Sequence, residues 1–251
     1  VIEESVQTKE WFGEWFDSPY YHILYRDRDH QEAQKFIDKV VDHFGLTSED
    51  HILDLACGKG RHSIYLNEKG FDVIGVDLSE QNISHANELA NARLKFFEHD
   101  MREVFREATF DYILNLFTSF GYFDAQAENQ MAVSAMEKGL KPGGSLLLDF
   151  LNPYKVVNNL VPEDVKIVDD IEFHITKHLS EDNYIIKDIR FEDKGKDYHF
   201  QERVKAIRRL EFLNFFESSG LEVLEVFGDY QLNAYDREVS DRMIFIVKKK
   251  K

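Results

Sequence analysis

Between His51 and Asp77 the chain reads HILDLACGKGRHSIYLNEKGFDVIGVD, and few folds accept such a stretch. Residues 52–56 are a short apolar run broken by Asp54, the pattern of a buried strand near its end. Cys57-Gly58-Lys59-Gly60 is a turn, where glycine removes the steric cost of unusual dihedrals and lets a ligand approach the backbone. Residues 61–69 carry Ile64, Tyr65 and Leu66 at helical spacing, and Gly70 stops that helix. Residues 71–76 form a second apolar strand, followed by Asp77, Leu78 and a helix N-cap, Ser79. Strand, glycine loop, helix, strand predicts an open α/β sheet with its ligand outside the carboxyl ends of the strands. A carboxylate about twenty residues beyond the glycines is placed to hydrogen-bond ribose hydroxyls, and Asp77 stands there.

The loop alone leaves the nucleotide open. A dinucleotide fingerprint wants G-x-G-x-x-G; Gly58 and Gly60 fit, and Ser63 takes the third place. The stretch resembles instead the first motif of class I S-adenosylmethionine-dependent methyltransferases, acid-x-Gly-x-Gly-x-Gly. Asp54, Ala56, Gly58 and Gly60 match it, with Ala56 in place of the first glycine. The resemblance implies S-adenosylmethionine as cofactor. It also implies a doubly wound, mostly parallel seven-stranded sheet, the Rossmann-like methyltransferase fold.

The resemblance continues along the chain. A third strand at 94–98 runs into His99-Asp100-Met101. In the family the acid here hydrogen-bonds the adenine amino group and its neighbour packs on the ring, roles that fall to Asp100 and Met101. Asp100 also reads as a helix N-cap. A fourth strand at 110–116 continues into FTSFGYFD, where methyl donor and acceptor should meet. Leu116 and Phe117 are placed to line the cofactor, and Phe120 and Tyr122 the substrate. The Asp/Asn-Pro-Pro-aromatic pattern of DNA and protein amide methyltransferases is not matched by Asn115-Leu116-Phe117-Thr118. LKPGG before a fifth strand at 145–150 is another shared feature. Asn152-Pro153-Tyr154 then reads as a turn or a pocket wall. Upstream, Tyr25, Arg28 and Asp29 match a segment that in the family closes over the methionine end of the cofactor. Arg28 reads either as a bidentate carboxylate clamp or as a solvated side chain.

Trp11, Phe12, Trp15, Phe16, Tyr20, Tyr21 and Tyr25 make the amino-terminal segment dense in aromatics, either packed on the sheet or folded over the cofactor. Ala33, Phe36, Ile37, Val40, Val41 and Phe44 then form a helical stripe. Beyond Phe150 the β/α alternation stops. Residues 165–179, 184–192 and 197–207 read as three period-two strands. In the last, Tyr198, Phe200 and Val204 share one face, and His199, Gln201 and Arg203 offer polar contacts on the other. The expected organisation is a helical flap over 1–45, an α/β domain over 46–160 and 208–251, and an inserted antiparallel lid over 161–207. That sheet is either a lid or a surface for a homodimer.

The 251 residues carry a formal net charge of −16, which repels phosphate backbones and makes nucleic acid an unexpected partner. One cysteine precludes an intrachain disulfide framework. No apolar run is long enough to span a bilayer, and the polar start VIEESVQTKEW is not a signal peptide; a cytoplasmic location without membrane contact is the expectation. The expected activity is methylation of a small-molecule nitrogen or oxygen by in-line transfer. The insertion resembles those of sugar-amine and glycine-type N-methyltransferases, which favours nitrogen. No metal site and no catalytic residue are assigned; Tyr122 and the inserted-strand histidines 174, 178 and 199 are the weak candidates. The alternatives are a nicotinamide-dependent oxidoreductase and a non-catalytic regulatory module that binds S-adenosylmethionine.

Overall fold

The computed structural model describes residues 11–26 and 30–250. Two short helices, α1 (Trp11–Phe16) and α2 (Pro19–Leu24), precede the longer α3 (His30–Phe44). Ser18 caps α2 by accepting from the Tyr20 N–H, and Pro19 suits its first turn, where a missing N–H costs nothing. The expected stripe of α3 is its core face, with Ala33, Phe36, Ile37 and Val40 buried.

Next come β1 (His51–Leu55), α4 (Arg61–Glu68), β2 (Asp72–Asp77), α5 (Glu80–Asn87), β3 (Leu94–Glu98), β4 (Phe110–Asn115), α6 (Gln126–Gly139) and β5 (Leu140–Leu151). These five strands pair in parallel in the order β3-β2-β1-β4-β5. Their residues alternate between two apolar layers. Leu53 and Leu55 pack toward α6, and Ile52 and Val73 toward α3 and α4. Sheet order reverses between β1 and β4, so a crevice opens at the carboxyl ends of those two strands.

Two details differ from the sequence reading. The spacing of Ile83, Ala86, Leu89 and Ala90 predicts a helix over 79–92 with these residues inward, but α5 stops at Asn87 and Leu89 is 56% exposed. The KPGG segment is a bulge inside β5 rather than a separate turn: Leu140 pairs with Phe110 and Ser145 with Tyr112. A Cβ at Gly144 would lie 3.0 Å from the Asp111 and Lys141 carbonyl oxygens, so the bulge requires glycine there.

After α7 (Pro153–Asn158) the chain leaves the main sheet. It forms a separate four-stranded antiparallel sheet, β6 (Glu163–Val168), β7 (Ile171–Leu179), β8 (Tyr184–Asp193) and β9 (Lys196–Lys205). The single strand expected over 165–179 is in fact two, turned at Asp169 and Asp170, both at positive φ (49° and 63°). Helices α1 and α2 pack on this sheet: Trp15 and Leu24 are buried with Phe173, Ile175, Ile189 and Phe191. The chain returns through α8 (Arg209–Ser218), β10 (Leu221–Phe227) and β11 (Arg242–Lys249). Strand β11 inserts antiparallel between β5 and β10 and completes seven strands.

Candidate active site

The glycine loop after β1 takes left-handed backbone at Ala56 (φ 62°), Gly58 (56°) and Gly60 (79°). Its two glycines serve different ends. A Cβ on Gly60 would lie 2.6 Å from the Phe96 ring, so packing requires glycine there. Around Gly58 nothing lies within 4 Å of the place a Cβ would take, so its backbone faces open space. The half-buried Asp77 accepts the Gly58 N–H at 2.8 Å through one oxygen and the Ser79 N–H at 2.9 Å through the other. A carboxylate has about four lone-pair sites, so acceptor capacity remains on the side of the crevice. Burial raises the Asp77 carboxyl above its ordinary pKa, against the two backbone N–H bonds that lower it.

Asp54 is buried, with the Ser63 hydroxyl donating to it at 2.6 Å. Burial pushes its pKa up to about 6; the Ser63 bond opposes the shift and the Asp77 charge adds to it. Ser63, which spoils a dinucleotide fingerprint, thus holds the acid of the motif.

Asn115 closes β4, fully buried; its side-chain N–H groups donate to the Leu55 and Ser119 carbonyls, each at 3.1 Å. Its Oδ1 accepts nothing from the described residues, which leaves a buried acceptor at the mouth of β1 and β4. Leu116 is buried. Phe117 and Thr118 both sit at positive φ (57° and 63°), a costly pair for non-glycine residues. Asp149 holds them there. Its carboxylate accepts the Phe117 N–H at 2.8 Å, its carbonyl accepts the Thr118 N–H at 3.0 Å, and Arg242 donates to both Asp149 and the Thr118 hydroxyl at 2.8 Å. Tyr230 donates to Asp149 at 3.2 Å, and burial, with the Asp149 charge, raises its pKa strongly. The Phe117 ring packs on His62 and Tyr230, each 4.9 Å away, with the Arg61 guanidinium 4.8 Å above it.

Asp100 caps no helix, contrary to one expectation, because the chain continues through turns. Arg102 grips its carboxylate at 2.5–3.1 Å and reaches Glu128 at 2.7 Å. Burial raises the Asp100 pKa, but Arg102 outweighs it and holds the group below the usual carboxylate range. Met101 packs on the core beside it, and Leu78 is 41% exposed.

The expected substrate residues are scattered. Phe120 is fully buried against Phe212. Tyr122 donates to the Thr118 carbonyl at 2.6 Å and packs on Phe16. Asn152 is fully buried: its N–H groups donate to the Arg237 and Ser240 carbonyls at 2.8 Å, and its oxygen caps α7. The Arg237 guanidinium lies 4.8 Å over the Tyr154 ring. Arg203 lies over Tyr184 and 3.5 Å from Asp124.

Helices α1 and α2 bridge the small sheet and the crevice. Glu202 on β9 accepts from Trp15 Nε1 at 2.7 Å and from the Tyr25 hydroxyl at 2.6 Å. At the other end, the Ser79 hydroxyl donates to Asp17. His22 is lowered to a pKa of about 4 by burial and then by the Lys59 charge, which puts α2 beside the glycine loop. Tyr184 donates to the Phe123 and Asp124 carbonyls at 3.1 Å, tying β8 to the loop after β4. Histidines 174, 178 and 199 are on the sheet's opposite face, with His199 paired to Asp188 at 2.9 Å. Arg28 lies outside the described residues. Sequence reasoning missed Ser63, Asp149, Glu202, Tyr230 and Arg242. Only Asp149, an acid between the apolar Leu146-Leu147-Leu148 and Phe150-Leu151, carried a local signal.

The open face at Gly58, the spare capacity of Asp77 and the unfilled Asn115 oxygen fit a nucleoside with a polar tail, as S-adenosylmethionine has. Residues 52–144 match the family model described as a methyltransferase domain. A putative methyltransferase from Geobacillus sp. (strain WCH70) is 26% identical over 253 residues, covering 96% of this chain and 100% of that protein. A glycine/sarcosine N-methyltransferase from Aphanothece halophytica is 28% identical over 239 residues, 90% of this chain and 85% of its own. A solved S-adenosylmethionine-dependent methyltransferase from Clostridium acetobutylicum ATCC 824 shares the fold, with a TM-score of 0.78 at 21% identity over 92% of this chain and 96% of that one. So does an S-adenosylmethionine-bound amino pentose methyltransferase from Micromonospora echinaspora, with a TM-score of 0.71 at 21% identity over 93% and 98%.

Proposed function

Since the chain carries a class I S-adenosylmethionine-dependent methyltransferase domain, we propose that it methylates an amine nitrogen of a small molecule. The acceptor sits between the loop after β4, helices α1–α2 and the four-stranded sheet. One observation carries the reading: α1–α2 are fastened at Glu202 on the small sheet and at Ser79 beside the glycine loop, so both sheets wall the same crevice. The names of the N-methyltransferase relatives favour nitrogen over oxygen.

S-adenosylmethionine supplies a methyl group already activated on a sulfonium. The protein's task is mainly placement, and proximity with orientation is worth roughly 7–11 kcal/mol. An amine is protonated at neutral pH, so it must give up one proton before its lone pair attacks the sulfonium methyl and displaces the thioether; that proton passes to solvent, since none of the described residues is assigned as its base. In this reading Asp77, with Leu78 beside it, takes the ribose, and Asp100 and Met101 take the adenine. Asp54, Ala56, Gly58 and Gly60 shape the floor, and Leu116 and Phe117 form the wall toward the reacting methyl. Tyr122 and Tyr25 border the acceptor. Phe120 and Asn152 act from behind, as packing and as an anchor for residues 237–240, with Tyr154 and Arg203 at the rim.

The test is transfer of isotopically labelled methyl from S-adenosylmethionine to fractionated metabolite extracts, with the product linkage read by fragment mass spectrometry. Label on nitrogen is expected. Label confined to oxygen or carbon overturns the amine, and absence of any labelled small molecule overturns the acceptor class.

A further inference from the structure

Three hydrogen-bond acceptors converge where β2 runs into α5. Asp77 is the first, holding the Gly58 and Ser79 N–H groups. Asp17, in the turn between α1 and α2, is the second, and the Ser79 hydroxyl donates to it. The two carboxylates therefore flank one serine, Asp77 at its N–H and Asp17 at its hydroxyl. The third is Asn82 of α5, 4% exposed, whose side chain lies against the Asp77 carboxyl. Its Oδ1 accepts nothing from the described residues.

The grouping is unfavourable for the protein alone. Burial raises the Asp77 pKa and the Asp17 charge adds to the shift, against the two backbone N–H bonds. Neighbouring like charges disfavour joint ionisation, and a chain of net charge −16 is not short of negative charge. Nor is Asp17 loosely placed. Trp15, two residues before it, is 1% exposed and donates to Glu202 at 2.7 Å. Ser18, the residue after it, caps α2. What suits such a cluster is a pair of uncharged donors side by side. A vicinal diol is that pair, since each hydroxyl donates one proton, and the ribose of S-adenosylmethionine carries one.

We propose that Asp17 is a second ribose ligand: the diol is held between Asp77 on the sheet and Asp17 on the α1–α2 turn, with Asn82 completing the acceptor set. This rests on the reading that puts the ribose at Asp77. The diol answers both carboxylates at once and fastens α1 to the main sheet. Because Trp15 ties α1 to Glu202 on β9, filling the nucleoside site also fixes the four-stranded sheet over the crevice.

The experiment measures binding of S-adenosylhomocysteine and of its 2′-deoxy and 3′-deoxy analogues to the full chain by calorimetry. Asp17→Asn should weaken S-adenosylhomocysteine at least tenfold. One of the two analogues should bind variant and parent alike within a few-fold, and it names the hydroxyl that Asp17 receives. In the parent, S-adenosylhomocysteine should slow hydrogen exchange in α1 and β9; in Asp17→Asn at saturation that slowing should be lost. Unchanged affinity in Asp17→Asn, equal loss for all three ligands, or no slowing in the parent overturns the second ligand. Asp77→Asn is the control. If it too binds S-adenosylhomocysteine as the parent does, the placement of the ribose fails and this inference with it; loss at Asp77 with none at Asp17 overturns this inference alone.

Discussion

A carboxyl group removed from water resists ionisation, and Asp54 is buried so that its pKa rises from 3.8 to about 6. The sign follows directly. Above pH 6 the folded protein carries a charge that the unfolded chain bears more easily. A shift of this size costs about 3 kcal/mol there, by 1.36 kcal/mol per unit. As pH falls from 6 toward 4 the folded state takes up the proton first, and the cost disappears. Asp54→Asn should therefore raise the ligand-free melting temperature at pH 8, with the advantage fading between pH 6 and pH 4. A constant gap from pH 8 to pH 4 would contradict this account. Ala56, two residues on, holds φ 62°. Left-handed backbone costs an L-residue about 1–2 kcal/mol, and the flexibility of glycine returns about 0.5–1 of it. Ala56→Gly is expected to stabilise by up to about 1 kcal/mol, read as a higher urea midpoint at unchanged slope. A lower midpoint would show that the methyl group packs usefully.

Helices α1 and α2 are too short to persist alone; the sheet they cover makes them stable. Trp15, 1% exposed, is their anchor. Trp15→Ala should cost about 3–5 kcal/mol within that unit. Hydrogen exchange should accelerate in β7–β9 and leave β1, β4 and β5 protected; uniform acceleration would mean the two sheets open as one. Here the limit of sequence reading is physical. The strand–loop–helix–strand unit was legible because its 27 residues contact one another. The latch was not, because Trp15 and Glu202 meet across 187 positions. The misread strand has its own cause. Val165, Ile167, Ile171, Phe173 and Ile175 keep one parity, which imitates a continuous strand. The turn at Asp169 and Asp170 reverses the faces, leaving Val165 and Ile167 53% and 68% exposed while Phe173 and Ile175 are buried. Aspartate tolerates left-handed turns, and two in succession were the overlooked signal.

Across the whole molecule, the loop after β4 is braced through β5 by β11, the last strand of the chain. Asp149 is fully buried and Arg242, its ion-pair partner at 2.7 Å, is 17% exposed at the side chain. Arg242→Ala should cost about 3–5 kcal/mol, because it strands a buried charge. Replacing both residues by leucine should recover most of that stability, though not activity, since Phe117 and Thr118 lose their brace. A loss below about 1 kcal/mol in Arg242→Ala, by urea denaturation, would count against the brace.

The same pair sets a timetable. Arg242 follows Asp149 by 93 positions, and ribosomes add about 5–20 residues per second. For roughly 5–20 s after Asp149 is made, a nascent chain holds the glycine loop, β1 and β4 but no guanidinium for that carboxylate. During that interval β5 is a bare edge, open to pairing with another chain, until β11 emerges and fills the gap beside it. A chain stalled ahead of Arg242 would lack the β11 residues that both core layers share, Met243 to Val247, and would present the bare β5 edge to its neighbours.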